Sequence, residues 1–154
     1  MNTSLKYGWE NNMDENWLQI REYNGQGFQS LVTFGRWRVA ILNYLDDIHP
    51  EHNDTMERHS QTDEVFVLLK GKGVLLIGGA GSAINAIFPQ VLEPGKIYNV
   101  RSNTWHTILL SRDASVLLVE NQDTGEQNSE YVQLSMKQQS LIAGIAESER
   151  IMAR

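Results

Sequence analysis

Glu57, His59, Glu64 and His106 are the residues of this chain whose types and spacing could do chemistry. The first three fall in Glu57-Arg58-His59-Ser60-Gln61-Thr62-Asp63-Glu64, which runs straight into the apolar stretch Val65 to Leu69. His106 stands at the head of a second apolar stretch, Ile108 to Leu110. Imidazole nitrogens and carboxylate oxygens brought together inside a fold are what a divalent transition metal takes as ligands. The chain has no cysteine, so disulfides are excluded and any such ion would be held by nitrogen and oxygen.

Each residue also has a plainer reading. Residues two apart in a strand project from one face, so Glu57 and His59 point together with Arg58 opposite. They could share an ion or form a solvent-facing pair at a strand end. Glu64 shares a face with Phe66 and Leu68, and the other face carries Val65, Val67 and Leu69. With both faces apolar the strand is expected to be central and buried on both sides. A carboxylate there must be paired, protonated or coordinated, unless it ends just outside the core. His106 shares a face with Ile108 and Leu110, as a ligand or as a core imidazole bonded to the backbone. His49 and His52 lie in the preceding polar loop, where they could cap a pocket mouth or be solvated; His52 is the reserve ligand should Glu57 point away. Arg38 shares a face with Ala40 and Leu42, and if that face looks inward it could hold a carboxylate or phosphate of a substrate. Tyr98 could reach the same pocket or pack as an ordinary aromatic. Arg38, Tyr98 and His52 are therefore the candidate substrate-binding residues.

The elements that must position these groups are short strands. Alternation and turn residues predict strands over Trp17–Tyr23, Phe28–Phe34, Arg36–Leu45, Met56–His59 and Glu64–Lys70. Further strands are expected at Val74–Ile77, Ala83–Phe88, Gln90–Leu92, Ile97–Val100, Thr104–Leu110, Ser115–Glu120 and Tyr131–Leu134. Lys70-Gly71-Lys72-Gly73 reads as a hairpin turn. From Ser135, a plausible N-cap, to Met152 the composition turns to helix formers, with Leu141, Ile142, Ile145 and Ile151 at helical spacing. The chain divides into a polar lead-in over 1–16, a β domain over 17–134 and a terminal helix over 135–154, which packs on the outside or across a partner subunit. Composition and periodicity indicate an all-β sandwich or barrel and go no further.

The 154 residues suit one domain with a real core. A formal charge of −6, with the 13 Lys and Arg spread along the chain, speaks against a nucleic-acid partner. No apolar run reaches the roughly 18 residues that a membrane-spanning helix needs. The polar N-terminus lacks a signal-peptide pattern, and a cytoplasmic protein is the default expectation.

The stretch Glu57 to Gly71 resembles the first motif of the cupin superfamily: His-x-His, three or four residues, Glu, six residues, Gly. Gly95 to His106 resembles the second: Gly, five residues, Pro-x-Gly-x-x-His. The 23 residues from Lys72 to Pro94 match the variable insert between them. Glu57 replaces the first His, Arg101 the Pro, Asn103 the Gly, and Leu110 stands where an Asn usually follows. The resemblance implies a double-stranded β-helix (jelly-roll) barrel over roughly Trp17 to Gln122, with His59, Glu64 and His106 as metal ligands and Glu57 able to replace the missing imidazole. Such a set suits iron, manganese, nickel or zinc. The resemblance further implies a homodimer and a small-molecule ligand. Catalysis as an isomerase, lyase, decarboxylase or dioxygenase is one expectation; a binding or sensing module, with its metal structural or absent, is the other.

Overall fold

The computed structural model describes residues 13–152. The lead-in over 1–16 therefore falls largely outside the described residues. Ten strands follow in chain order: β1 Gly27–Phe34, β2 Trp37–Asn43, β3 Thr55–His59, β4 Glu64–Lys70, β5 Gly73–Gly79, β6 Phe88–Val91, β7 Tyr98–Val100, β8 Trp105–Leu110, β9 Ser115–Asn121 and β10 Ser129–Gln133. They form two antiparallel five-stranded sheets, ordered β1-β2-β9-β4-β7 and β10-β3-β8-β5-β6. Ala40, Phe66, Leu68, Leu75, Ile108, Leu110, Val116 and Leu118 from the two inner faces form one core cluster. This is the all-β jelly roll expected from the motifs.

The terminal helix α1, Met136–Ser148, begins where the sequence signals it. Ser135 Oγ accepts from the Gln138 backbone N–H at 3.3 Å, and Gln138 Oε1 accepts from the Ser135 N–H at 2.9 Å. Of the two placements left open, the helix takes the outer face of its own second sheet. Ile142, Ala146 and, just beyond the helix, Ile151 pack there with Met56, Val74, Leu76, Trp105 and Leu109. Trp105 thus faces away from His106 into this outer cluster, with its indole N–H donating to Gly81 O.

Four expectations are corrected. Trp17–Tyr23 is not a strand. Its alternation is real, but β1 pairs with β2 along its length and no ladder reaches this segment, leaving Trp17 and Ile20 about 80% exposed. The strand placed at Ala83–Phe88 begins only at Phe88. The turn at Gly71 does not close a hairpin: β4 pairs with β7 and β9, and β5 with β6 and β8, so the chain crosses there from one sheet to the other. Gly71 has φ +73°, and a Cβ would lie 2.6 Å from the Ala114 backbone, so the crossing needs glycine on both counts. Finally, β4 is buried on one face only: Glu64, Phe66 and Leu68 point inward, while Val65 and Val67 are half-buried and Leu69 is exposed. The outer face of the first sheet is apolar and only partly covered.

Candidate metal centre

Inward rows on facing strands each carry a polar residue at the same end of the barrel. On β4 the row is Glu64-Phe66-Leu68, on β8 His106-Ile108-Leu110 and on β9 Glu120-Leu118-Val116, while β3 contributes Glu57 and His59. Strand alternation sets which side chains look inward, and antiparallel pairing sets which ends coincide. Glu57 lies directly across from His106 in the β3–β8 ladder. The result is a barrel packed with apolar side chains at one end and open as a cavity of about 290 Å³ at the other.

Glu57, His59, Glu64 and His106 meet in that cavity. Each offers one ligand-type atom, and those atoms lie within 4.8 Å of one another. Ligands on opposite sides of an ion at bonds of about 2.1 Å stand about 4.2 Å apart and tetrahedral ones about 3.4 Å, so the widest pair closes by about 0.6 Å in the first case and about 1.4 Å in the second. Glu64 Oε2 lies 2.9 Å from His106 Nε2 and 3.2 Å from His59 Nε2. The outward-facing ring nitrogens are anchored: His106 Nδ1 lies 2.8 Å from Thr104 O, and His59 Nδ1 2.7 Å from Ser129 Oγ. A carbonyl can only accept, so Nδ1 of His106 carries a proton. In a neutral imidazole Nε2 is then a bare lone pair facing a carboxylate, two acceptors at contact distance. That arrangement requires a cation between them or a proton on one of the two. The donor set therefore fits a divalent ion.

Without an ion, the electrostatics favour protons on the imidazoles. Burial disfavours the ionised form of Glu64, but hydrogen bonds and attraction from His106 and His59 prevail and hold its carboxyl well below the usual range. Burial likewise opposes charge on both imidazoles, and Glu64 overrides it to raise His59 and His106. Glu57 is pushed up, first by burial and then by the charge of Glu64. Glu120, at the same end of the barrel, is raised by burial and by Glu64 against the opposing pull of Arg38. With neutral histidines, and among the described residues, the wall carries the carboxylates Glu57, Glu64 and Glu120 against the single guanidinium of Arg38.

The candidate substrate residues separate. Arg38 lines the cavity. It makes bonds of 2.7 and 3.1 Å to Glu120 Oε1 and donates to Gln122 O and Thr124 O. Tyr98 does not line it: its hydroxyl accepts from the Glu93 N–H and its ring packs against the core. His52 lines a neighbouring cavity that shares Glu57 and His106, and its Nδ1 lies 2.9 Å from Asp46 O. Sequence reasoning missed Glu120, Ser129 and Tyr131 as wall residues. The signal for Glu120 was present, because it shares a strand face with Val116 and Leu118. No comparable signal marks Ser129 or Tyr131, which reach the site through the pairing of β10 with β3.

The second motif keeps its shape despite its substitutions. Asn103, standing where the motif has Gly, has φ +60°, a left-handed conformation that Asn tolerates better than most residues. Gly95 has φ +80°.

No protein-family model and no curated protein matches the sequence. Solved structures do. CapF, a capsular polysaccharide assembling protein from Staphylococcus aureus, aligns at 15% identity over 80% of this chain and 34% of its own, with a TM-score of 0.52. A variant of QdtA, a 3,4-ketoisomerase from Thermoanaerobacterium thermosaccharolyticum solved with TDP, aligns at 14% identity over 64% of this chain and 68% of its own, with a TM-score of 0.50. A cupin-2 domain protein from Shewanella frigidimarina aligns at 14% identity over 65% of this chain and 85% of its own, with a TM-score of 0.48. The likeness to CapF and QdtA concerns architecture alone, and it agrees with the paired sheets and the two motifs: the chain has the cupin fold.

Proposed function

We propose that this protein binds one divalent transition-metal ion through Glu57, His59, Glu64 and His106, and uses the cavity beside it to bind and act on a small polar metabolite. The observation that carries the reading is the Nε2 of His106 held 2.9 Å from a buried carboxylate oxygen, with its ring anchored by the Nδ1 contact to Thr104 O. An ion held there would supply Lewis acidity toward a carbonyl or enolate oxygen. The chain's own contribution is positioning: Ser129 and Thr104 fix the ring planes, and Phe66, Leu118 and Ile108 floor the cavity and exclude water. Iron, manganese, nickel and zinc all suit two imidazoles and two carboxylates.

A second reading is a binding or sensing module without turnover. The anionic share of the donor set favours it, because two carboxylates leave an ion less electrophilic than imidazoles do. Under either reading the half-covered outer face of the first sheet, with Val39, Ile41, Val65, Val67 and Leu117, is the surface for a homodimer. Among the described residues no helix is long and apolar enough to cross a membrane.

Elemental analysis of purified wild type and His106→Ala tests the metal assignment. One ion per chain in the wild type and a loss of most of it in the variant is expected; equal stoichiometry in both would reject it. Turnover of candidate carbonyl substrates by the loaded protein separates catalysis from binding alone.

A further inference from the structure

The cavity shows which charge its ligand must not carry. Among the described residues Arg38 is the one guanidinium on the wall, and four of its five N–H groups are engaged. Nε and Nη2 donate to Glu120 Oε1 at 3.1 and 2.7 Å, Nη2 also donates to Thr124 O at 3.3 Å, and Nη1 donates to Gln122 O at 3.2 Å. Its planar face rests 4.8 Å from the Phe28 ring centroid. These contacts tie β2 to the segment after β9, whose Thr124 and Gly125 form part of the cavity wall. An anionic ligand would have to displace Glu120, which is buried, from a two-point contact.

The remaining polar wall is rich in acceptors. With Glu57 and Glu64 turned to the ion, one oxygen of Glu120 is still left over from the Arg38 contact. The Thr107 hydroxyl already donates to Asn53 Oδ1 at 3.0 Å. The adjoining cavity, about 400 Å³, shares Glu57, His106, Thr107 and Tyr131, adds Asp47 and Asp54, and has no Lys or Arg on its wall among the described residues. Apart from the Tyr131 hydroxyl, these acceptors lack matching donors and call for a ligand that brings its own, and wall carboxylates facing a ligand anion repel it.

We propose that the cavity takes a small polyhydroxylic ligand that is neutral or carries an amine, that it discriminates against anions, and that Arg38 is a latch for the 122–124 segment. This rests on the ligand site described above but not on the identity of any ion.

Glucosamine, glucose and glucuronate have nearly the same volume and differ in charge at neutral pH, and their affinities can be measured by titration calorimetry on metal-loaded and on chelator-treated protein. Glucosamine is expected to bind at least about tenfold more tightly than glucuronate, with glucose between. Glucuronate binding as tightly as glucosamine would overturn the proposal, and so would failure of all three to bind either form. Arg38→Met combined with Glu120→Gln, which removes both charges of the pair together, is expected to leave glucuronate affinity unchanged within about twofold while speeding hydrogen exchange at 122–125; a tenfold loss of glucuronate binding would make Arg38 an anion receptor and overturn the latch. Metal content measured on the same samples keeps the two readings apart. The charge order with no bound ion would sink the metal assignment alone, and bound ion with glucuronate preferred would sink this inference alone.

Discussion

Replacing Glu57 with Gln should push the metal-free and metal-loaded proteins in opposite directions. The ligand-type oxygens of Glu57 and Glu64 lie within 4.8 Å of each other. Two full charges at about that separation repel by about 3.5 kcal/mol at an effective dielectric near 20. Attraction from His59 and His106 cancels part of this, and the half-buried position of Glu57 screens more. The upward displacement of the Glu57 carboxyl shows that repulsion and burial still win. A net gain of about 1 kcal/mol on removing the charge is a reasonable residue, worth about 2–4 °C in melting temperature for a chain of this size. With saturating ion the sign reverses, because the variant loses an anionic ligand. An ion present at about 100 times its Kd stabilises by about 2.7 kcal/mol, or about 5–11 °C, and Glu57→Gln should lose most of that increment. The assay is thermal unfolding of both proteins, chelated and with added zinc or manganese. A variant that is less stable than wild type when chelated, and equally stabilised by the ion, would refute the placement of Glu57 in the centre.

Further outcomes follow from the same geometry. His59 and His106 are raised above 6.5, so their contribution to metal-free stability is present below that value and lost as pH rises through the raised values, whereas that of Glu64, lowered from 4.5, is present above 4.5 and lost on acidification. Chelated protein should therefore be most stable between pH 4.5 and 6.5 and weaken toward pH 8, while added ion, which needs deprotonated ligands, should stabilise more as pH rises over the same interval; melting temperatures across pH 4–8 with and without chelator check both slopes. Ser129→Ala removes the anchor of His59 Nδ1 and is expected to weaken the ion by about 10–100-fold in a chelator competition, with little change in metal-free stability. Gly71→Ala places a Cβ 2.6 Å from the Ala114 backbone at φ +73° and should destabilise the fold by about 2 kcal/mol or more in urea titration.

The sequence by itself determined the strand-rich architecture, the capped terminal helix and the residue types that converge. Strand periodicity decides which side chains share a face, and that holds whatever the sheet order, so Glu57 with His59, Glu64 with Phe66 and His106 with Ile108 were legible as same-face pairs. Spacing against the cupin motifs then brought the separate faces together. What only the tertiary structure decided was partnership. A run that alternates becomes a strand only where a neighbour offers a ladder, which Trp17–Tyr23 lacks. A glycine turn can close a hairpin or carry the chain to another sheet, and at Gly71 the proximity of Ala114, distant in sequence, made the difference. Arg38 was legible as an inward arginine, but its meeting with Glu120 depends on β2 lying beside β9 across more than eighty residues of chain. Local chemistry is written in neighbouring residues; long-range pairing is fixed by the global packing of two sheets, and no local pattern encodes it.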